Sequence, residues 1–172
     1  IFCVFFLDRL LSIFLLNGLE RYYGLSAPAE FLLVGYSHLV LGVDKVHLED
    51  ELGRPVAKYA RAGSTLRDRQ VMIEHYFSRN PGSVKTVIYG VDSHIFNSAG
   101  LSSNSYSLFY PYIDDPVVFS FLSDSAMSNK DLILRRLLHS SRYQDVTLGL
   151  AIRGHLQDWG NYKHGKVNLK KL

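Results

Sequence analysis

Apolar positions along the chain fall into two kinds of pattern, short unbroken runs and longer stretches with helical spacing. Phe31-Leu32-Leu33-Val34 is an unbroken run too short for a helix, and it follows the short linker Ser26-Ala27-Pro28-Ala29. Such a run predicts a strand buried on both faces, as in a parallel sheet. Asp44 is placed to cap a short helix through Leu52, with Val46, Leu48 and Leu52 on its inner face and Gly53 as its stop. Pro55 to Ala60 suits a second strand. Ser64 or Thr65 can cap a longer helix with Leu66, Met72, Ile73, Tyr76 and Phe77 on one side, ending at Asn80-Pro81-Gly82. Val84 to Val91 is a third strand. Strand, helix, strand, helix, strand is the alternation of an open parallel sheet with right-handed crossovers.

Beyond Asn97 the pattern changes to a polar loop, Ser98 to Ser107, followed by the aromatic segment Phe109-Tyr110-Pro111-Tyr112. That segment is expected to pack against the sheet, although its rings could also stack on sugars. Ser128 or Asn129 can cap a helix carrying Leu132, Ile133, Leu137 and Leu138, and Val146 to Leu156 fits another. At the other end, the apolar stretch Ile1 to Leu7 resumes from Leu10 to Leu16 after Asp8 and Arg9. No run of about 18 uncharged residues exists, so a complete spanning helix is not predicted. Two readings stay open: the outer end of a transmembrane helix anchored by Arg21, Tyr22 and Tyr23, or an amphipathic helix on the domain or membrane surface. The expected organisation is a hydrophobic helix over 1–25, an α/β core over 30–97 and a loop and helical region over 98–172. Three strands make a thin sheet, so further strands are expected beyond Leu172, with an exposed sheet edge.

With 172 residues, 47% of them hydrophobic and 20% charged, the chain can bury one core and is not expected to be disordered. The net charge of +3 comes from scattered residues, with a local excess only at Lys163, Lys166, Lys170 and Lys171. Without aromatic interleaving this tail reads as a solvated end, and no nucleic-acid partner is expected. A single cysteine, Cys3, rules out an internal disulfide and a cysteine-based zinc site. Neither Gly-x-Gly-x-x-Gly nor a P-loop occurs, so no nucleotide cofactor is expected.

In open α/β sheets, ligands bind outside the carboxyl ends of the strands. The segments there are Gly35-Tyr36-Ser37-His38, Ala62-Gly63-Ser64-Thr65 and Gly90-Val91-Asp92-Ser93-His94. A serine on a tight turn exposes its hydroxyl, and its N–H and that of Gly63 could point at one developing oxyanion. His94 is the best candidate base within the chain, and His38, adjacent to Ser37, is the weaker one because neighbours on a turn point apart. Asp92 and His94 lack a third ligand, so no metal is expected.

These segments resemble the SGNH/GDSL hydrolases, and in particular a membrane-anchored bacterial branch related to proteins that acetylate exported polysaccharides. The resemblance covers about Asp8 to Asn97 and, less specifically, Tyr110-Pro111 and the helices that follow. It implies an open parallel sheet of the flavodoxin/SGNH type, with Ser37 as nucleophile and Gly63 as an oxyanion donor. Asp92 falls where the third block carries asparagine, and it can accept hydrogen bonds but not donate them when ionised. The fourth block, Asp-x-x-His, is not in these 172 residues, and the resemblance implies that they cover the N-terminal half of the domain. The function implied is a serine esterase or O-acyltransferase acting on acyl esters, such as those of exported polysaccharide. The alternative is a catalytically inactive binding or assembly module. Expected partners are an acyl ester or carbohydrate, a membrane contacted through residues 1–23 on the extracytoplasmic side, and another chain at the open sheet edge.

Overall fold

The computed structural model describes residues 2–91, 105–125 and 128–160. Three parallel strands, β1 (Phe31–Gly35), β2 (Val56–Ala60) and β3 (Thr86–Tyr89), form one sheet in the order β2-β1-β3. Phe31 pairs with Val56 on one side and Thr86 on the other. Every residue of β2 is buried, so that edge is sealed. Along β3, Val87 and Ile88 stay exposed. The exposed edge expected of a thin sheet is therefore the β3 side, and the strand is shorter than the run Val84 to Val91 suggested.

Helices cover both faces, which is why β1 is apolar throughout. The link from β1 to β2 holds α2 (Ser37–Gly42) and α3 (Lys45–Leu52), and their Leu39, Val40 and Leu48 pack on Leu33, Val56 and Ala60. Lys58 points into this same face, nearly fully buried, and donates to the carbonyls of Val40 (2.7 Å) and Val43 (2.6 Å) at the end of α2. A cation there suits the negative end of the helix. Burial nevertheless lowers its pKa to about 8, against the opposing pull of Asp44.

The link from β2 to β3 is α4 (Leu66–Arg79), whose Val71, Met72 and Tyr76 pack on Leu32, Val34 and Tyr59 across the opposite face. Thr65 is its cap: the hydroxyl accepts from the Asp68 N–H, and the Asp68 carboxylate accepts from the Thr65 N–H. The cap of α3 is Asp44, accepting from the N–H groups of Val46 and His47, and Gly53 ends it at φ 61°. Its Val46 and Leu52, expected inside, are exposed. The buried stripe of α4 is also rotated from expectation. Phe77 and Leu66 are exposed, whereas Arg69 and His75 are buried, because both polar side chains find partners inside the domain.

Three further helices complete the larger core: α5 (Pro116–Asp124), α6 (Asn129–Leu137) and α7 (Asp145–Gly160). The sequence pattern did not single out α5, although Asp115 caps it and Pro116 opens it. Phe109 and Tyr112 are buried, Phe109 edge-on to Phe121, so the aromatic segment packs inside as expected. The N-terminal helix α1 (Phe2–Tyr23) sends Leu15, Leu19, Tyr22 and Tyr23 into this core. Asp8 is turned inward, accepting from the backbone N–H groups of His139 (2.7 Å) and Ser140 (2.9 Å). Burial alone would raise its pKa, but these bonds outweigh it and hold the carboxyl below its ordinary value. No described helix is long and apolar enough to cross a membrane.

Helices α1 and α7 touch at backbone distance. A Cβ on Gly154 would lie 1.7 Å from the Gly18 carbonyl oxygen, and one on Gly18 would lie 2.1 Å from that of Ala151. His155 beside them stacks on Phe14, its Nε2 within 2.7 Å of the Phe14 carbonyl. Gly154→Ala is therefore expected to force the helices apart and to cost about 1–3 kcal/mol in urea unfolding. Gly149→Ala on the same helix, where nothing lies within 4 Å, is the control and should be neutral or stabilising.

A second prediction concerns His75, whose Nδ1 shares a hydrogen bond with the Tyr59 hydroxyl at 3.1 Å. Burial lowers its pKa from 6.5 to about 4, with Asp115 opposing and Arg79 reinforcing the shift. The unfolded chain therefore binds the extra proton first, so the stability contributed is whole above the unfolded value and is lost as pH falls towards the folded one. Urea midpoints should drop between pH about 7 and about 5, and His75→Gln, which has no proton to gain, should flatten that drop.

Candidate active site at the carboxyl ends of the strands

The chain steps outward from β1 to β2 and then crosses back over β1 to β3, with its connections on opposite faces. Such a reversal opens a crevice between the two strands where the direction changes, at their carboxyl ends. Here those strands are β1 and β3, and Ser37 is the first residue of the helix that leaves β1. Gly35 lets the turn close: a Cβ there would lie 3.1 Å from the Leu39 side chain and 3.4 Å from the Gly90 Cα. The tight contact is the one with Leu39, so the absence of a side chain at Gly35 lets α2 fold close against the end of β1.

Ser37 is half-buried. Tyr36, the residue before α2, offers no side-chain cap, and its carbonyl accepts from the N–H groups of Leu39 and Val40, both at 3.0 Å. Among the described residues, no acceptor takes the N–H groups of Ser37 and His38, and none hydrogen-bonds the Ser37 hydroxyl. N–H groups without an acceptor at the first positions of a helix suit an incoming oxyanion. His38 is exposed and turned onto Tyr36: the Tyr36 hydroxyl and His38 Nδ1 share a hydrogen bond, and the rings meet edge-on with centroids 4.7 Å apart. The weaker candidate base thus faces its neighbour.

The turns after β1 and β2 are joined directly. The Gly35 carbonyl accepts from the Ser64 hydroxyl at 3.0 Å and from the Arg61 N–H at 3.1 Å. Gly63 lies in that second turn at φ 77°, a conformation that other residues rarely adopt. The structure therefore brings the Ser37 and Gly63 turns together with Gly90, whose N–H donates to the Val34 carbonyl at 2.8 Å. Asp92, Ser93, His94 and Asn97 lie outside the described residues.

Arg69, which sequence reasoning passed over, holds these loops from behind. Only 1% exposed, it donates from Nη1 to the Gly90 carbonyl (2.7 Å), from Nη2 to the Ser64 carbonyl (3.1 Å) and from Nε to the Ser64 hydroxyl (3.3 Å). Its guanidinium also lies 5.0 Å from the Tyr36 ring and 5.8 Å from that of Tyr89, within cation–π range. One cation thus touches the segments that leave all three strands. The sequence carried a signal for it: position 69 lies three residues from both Leu66 and Met72, so a charge sits on the stripe expected to face inward.

A second cavity, of about 340 Å³, lies towards the far end of α4 between α1 and the segment around Tyr112, and is lined by Glu20, His75, Arg79 and Arg142 among others. Two ion pairs lie in its lining, Arg79 with Glu20 and Arg142 with Asp114. Among the described residues, no cluster of three or more metal-ligating side chains occurs. No protein-family profile, curated protein or solved structure matches the chain.

Arg69→Met leaves two carbonyls and a hydroxyl without donors and is expected to cost about 3 kcal/mol in urea unfolding. Amide hydrogen exchange should quicken together at residues 35–38, 61–65 and 90, while the amides of α7 keep their ranking.

Proposed function

We propose that the chain provides the nucleophile half of an SGNH-type serine esterase or O-acyltransferase acting on acyl esters, with esters of exported polysaccharide as the substrate class. The observation that carries this reading is the place of Ser37: first residue of a helix, at the carboxyl end of the central strand, where the sheet order reverses. In this reading Ser37 Oγ attacks the acyl carbonyl, and the N–H groups of Ser37 and Gly63 receive the oxyanion. A base takes the hydroxyl proton and later returns it to the leaving alcohol. His94 is the candidate within this chain, and the Asp-x-x-His block implied by the resemblance is the candidate outside it. The acyl-serine then passes its group to water or to a sugar hydroxyl.

A second reading is a non-catalytic carbohydrate-binding or assembly module, and Asp92 favours it. A carboxylate in place of an asparagine cannot donate to an oxyanion and repels its charge, and losing one such donor costs about 3 kcal/mol of transition-state stabilisation.

The two readings part in one experiment. With a p-nitrophenyl acyl ester and with a fluorophosphonate probe, the esterase reading expects an adduct on Ser37 and a fall in rate of roughly a thousandfold in Ser37→Ala. Equal rates and equal labelling in the two proteins remove Ser37 from the chemistry and leave the binding module.

A further inference from the structure

The cavity of about 340 Å³ beside α1 is walled by residues whose hydrogen-bond donors the protein leaves without acceptors. His75 and Tyr112, 1% and 5% exposed, bring their rings to 4.6 Å between centroids. His75 Nε2 and the Tyr112 hydroxyl are both buried, and among the described residues neither has a hydrogen-bond partner. Tyr59 occupies the Nδ1 side of the His75 ring, so with Tyr59 donating, the proton of the neutral ring is on Nε2. Two donors are then unfilled in one wall, an arrangement that buried polar groups rarely keep.

A further mismatch lies at the 3₁₀ turn His139–Arg142. The His139 ring stands between two guanidiniums, with Nε2 3.1 Å from Arg142 Nη2 and Nδ1 3.4 Å from Arg9 Nη1. Burial and the two cations lower its pKa, so the ring is neutral and accepts at one nitrogen only. Arg142 makes the shorter contact, and it is held in place by Asp114 and the Arg135 carbonyl, each at 2.7 Å. Nε2 is therefore the acceptor, and the Nδ1–H of His139 meets an N–H of Arg9, donor against donor. An incoming oxygen beside them would serve both.

Charge narrows what brings that oxygen. Of the charged groups in the lining, Arg79 pairs with Glu20 and Arg142 with Asp114. The Asp115 carboxylate accepts from the N–H groups of Val117 and Val118, at the start of α5, and from the Ser78 hydroxyl. Among the described residues, Arg9 has no carboxylate partner, so a monoanion matches it. A dianion would set a second charge beside Glu20 and Asp114 with nothing to offset it. Ile13, Leu16 and Pro111 in the same lining suit a hydrocarbon body, and the volume is at the lower end for small-molecule sites. We propose that this cavity binds a small organic monocarboxylate, its two oxygens taking the donors of Arg9, His139, Tyr112 and His75 and its body lying on Ile13, Leu16 and Pro111. The proposal does not rest on any role for Ser37.

The test is titration of the full chain with butyrate and with benzoate, followed by amide and imidazole chemical shifts in NMR, with butyramide and inorganic phosphate as comparisons. At least one of the two carboxylates is expected to shift the signals of Arg9, His75, Tyr112 and His139 saturably, while butyramide and phosphate leave them in place. Arg9→Gln, at an exposed side chain, should weaken binding roughly tenfold or more, and Tyr112→Phe roughly fivefold. The Tyr112 hydroxyl has no partner to lose, so the urea midpoint of the unliganded Tyr112→Phe protein should not fall. No saturable shift with either carboxylate overturns the proposal and leaves the cavity to solvent. Undiminished binding by either variant overturns it too, as do equal shifts with butyramide or tighter binding of phosphate. Shifts confined to residues 35–38 and 61–65 put the carboxylate in the Ser37 crevice and overturn it as well.

Discussion

A guanidinium taken out of water needs its donors filled by acceptors held in place, and Arg69 finds them in the carbonyls of Ser64 and Gly90 and in the Ser64 hydroxyl. Those groups belong to the segments that follow β2 and β3, so satisfying one side chain fixes the spacing of two loops. The Ser64 hydroxyl passes the constraint on by donating to Gly35, at the end of β1. The Ser37 turn is thereby held in register with both neighbours by groups that never reach the crevice themselves. Burying this charge is affordable only because every loop contributes an acceptor or an aromatic face.

What the sequence disclosed, and what it withheld, follows from the range of the forces involved. Strand β1 and the caps Asp44, Thr65 and Ser128 are visible locally, since an unbroken apolar run or a capping residue acts within a few positions. The order of the three strand-end turns was legible for the same reason. The rotation of α4 was not, because whether Arg69 or Phe77 faces inward depends on Gly90, 21 residues further along, and on Tyr36, 33 residues back. Lys58 escaped notice in the same way. Its position within an apolar strand suggests exposure, and only the carbonyls at the end of α2 explain its burial. Asp92 and His94 were legible as candidates, but they lie outside the described residues.

The two faces of the sheet are unequal. One carries α1, α4, α5 and α7 over a broad aromatic core with Tyr23, Tyr59, Tyr76 and Phe109. The other carries two short helices over Leu33, Val56 and Ala60, with Lys58 among them. Ser37 opens the helix on the thinner side, so its turn draws little rigidity from bulk packing beneath it. Its order comes from Arg69 behind the loops and from Lys58 at the far end of the six-residue α2.

The unequal edges of the sheet have a directional meaning. With β2 sealed and β3 open, the backbone ladder can lengthen on one side only. A parallel strand added there, from this polypeptide or from another, would end beside Gly90 and bring its own following loop to the rim of the crevice. Among the described residues, the open edge of the sheet and the crevice beside Ser37 therefore share a boundary, and a strand added to the ladder would also add a wall on that side.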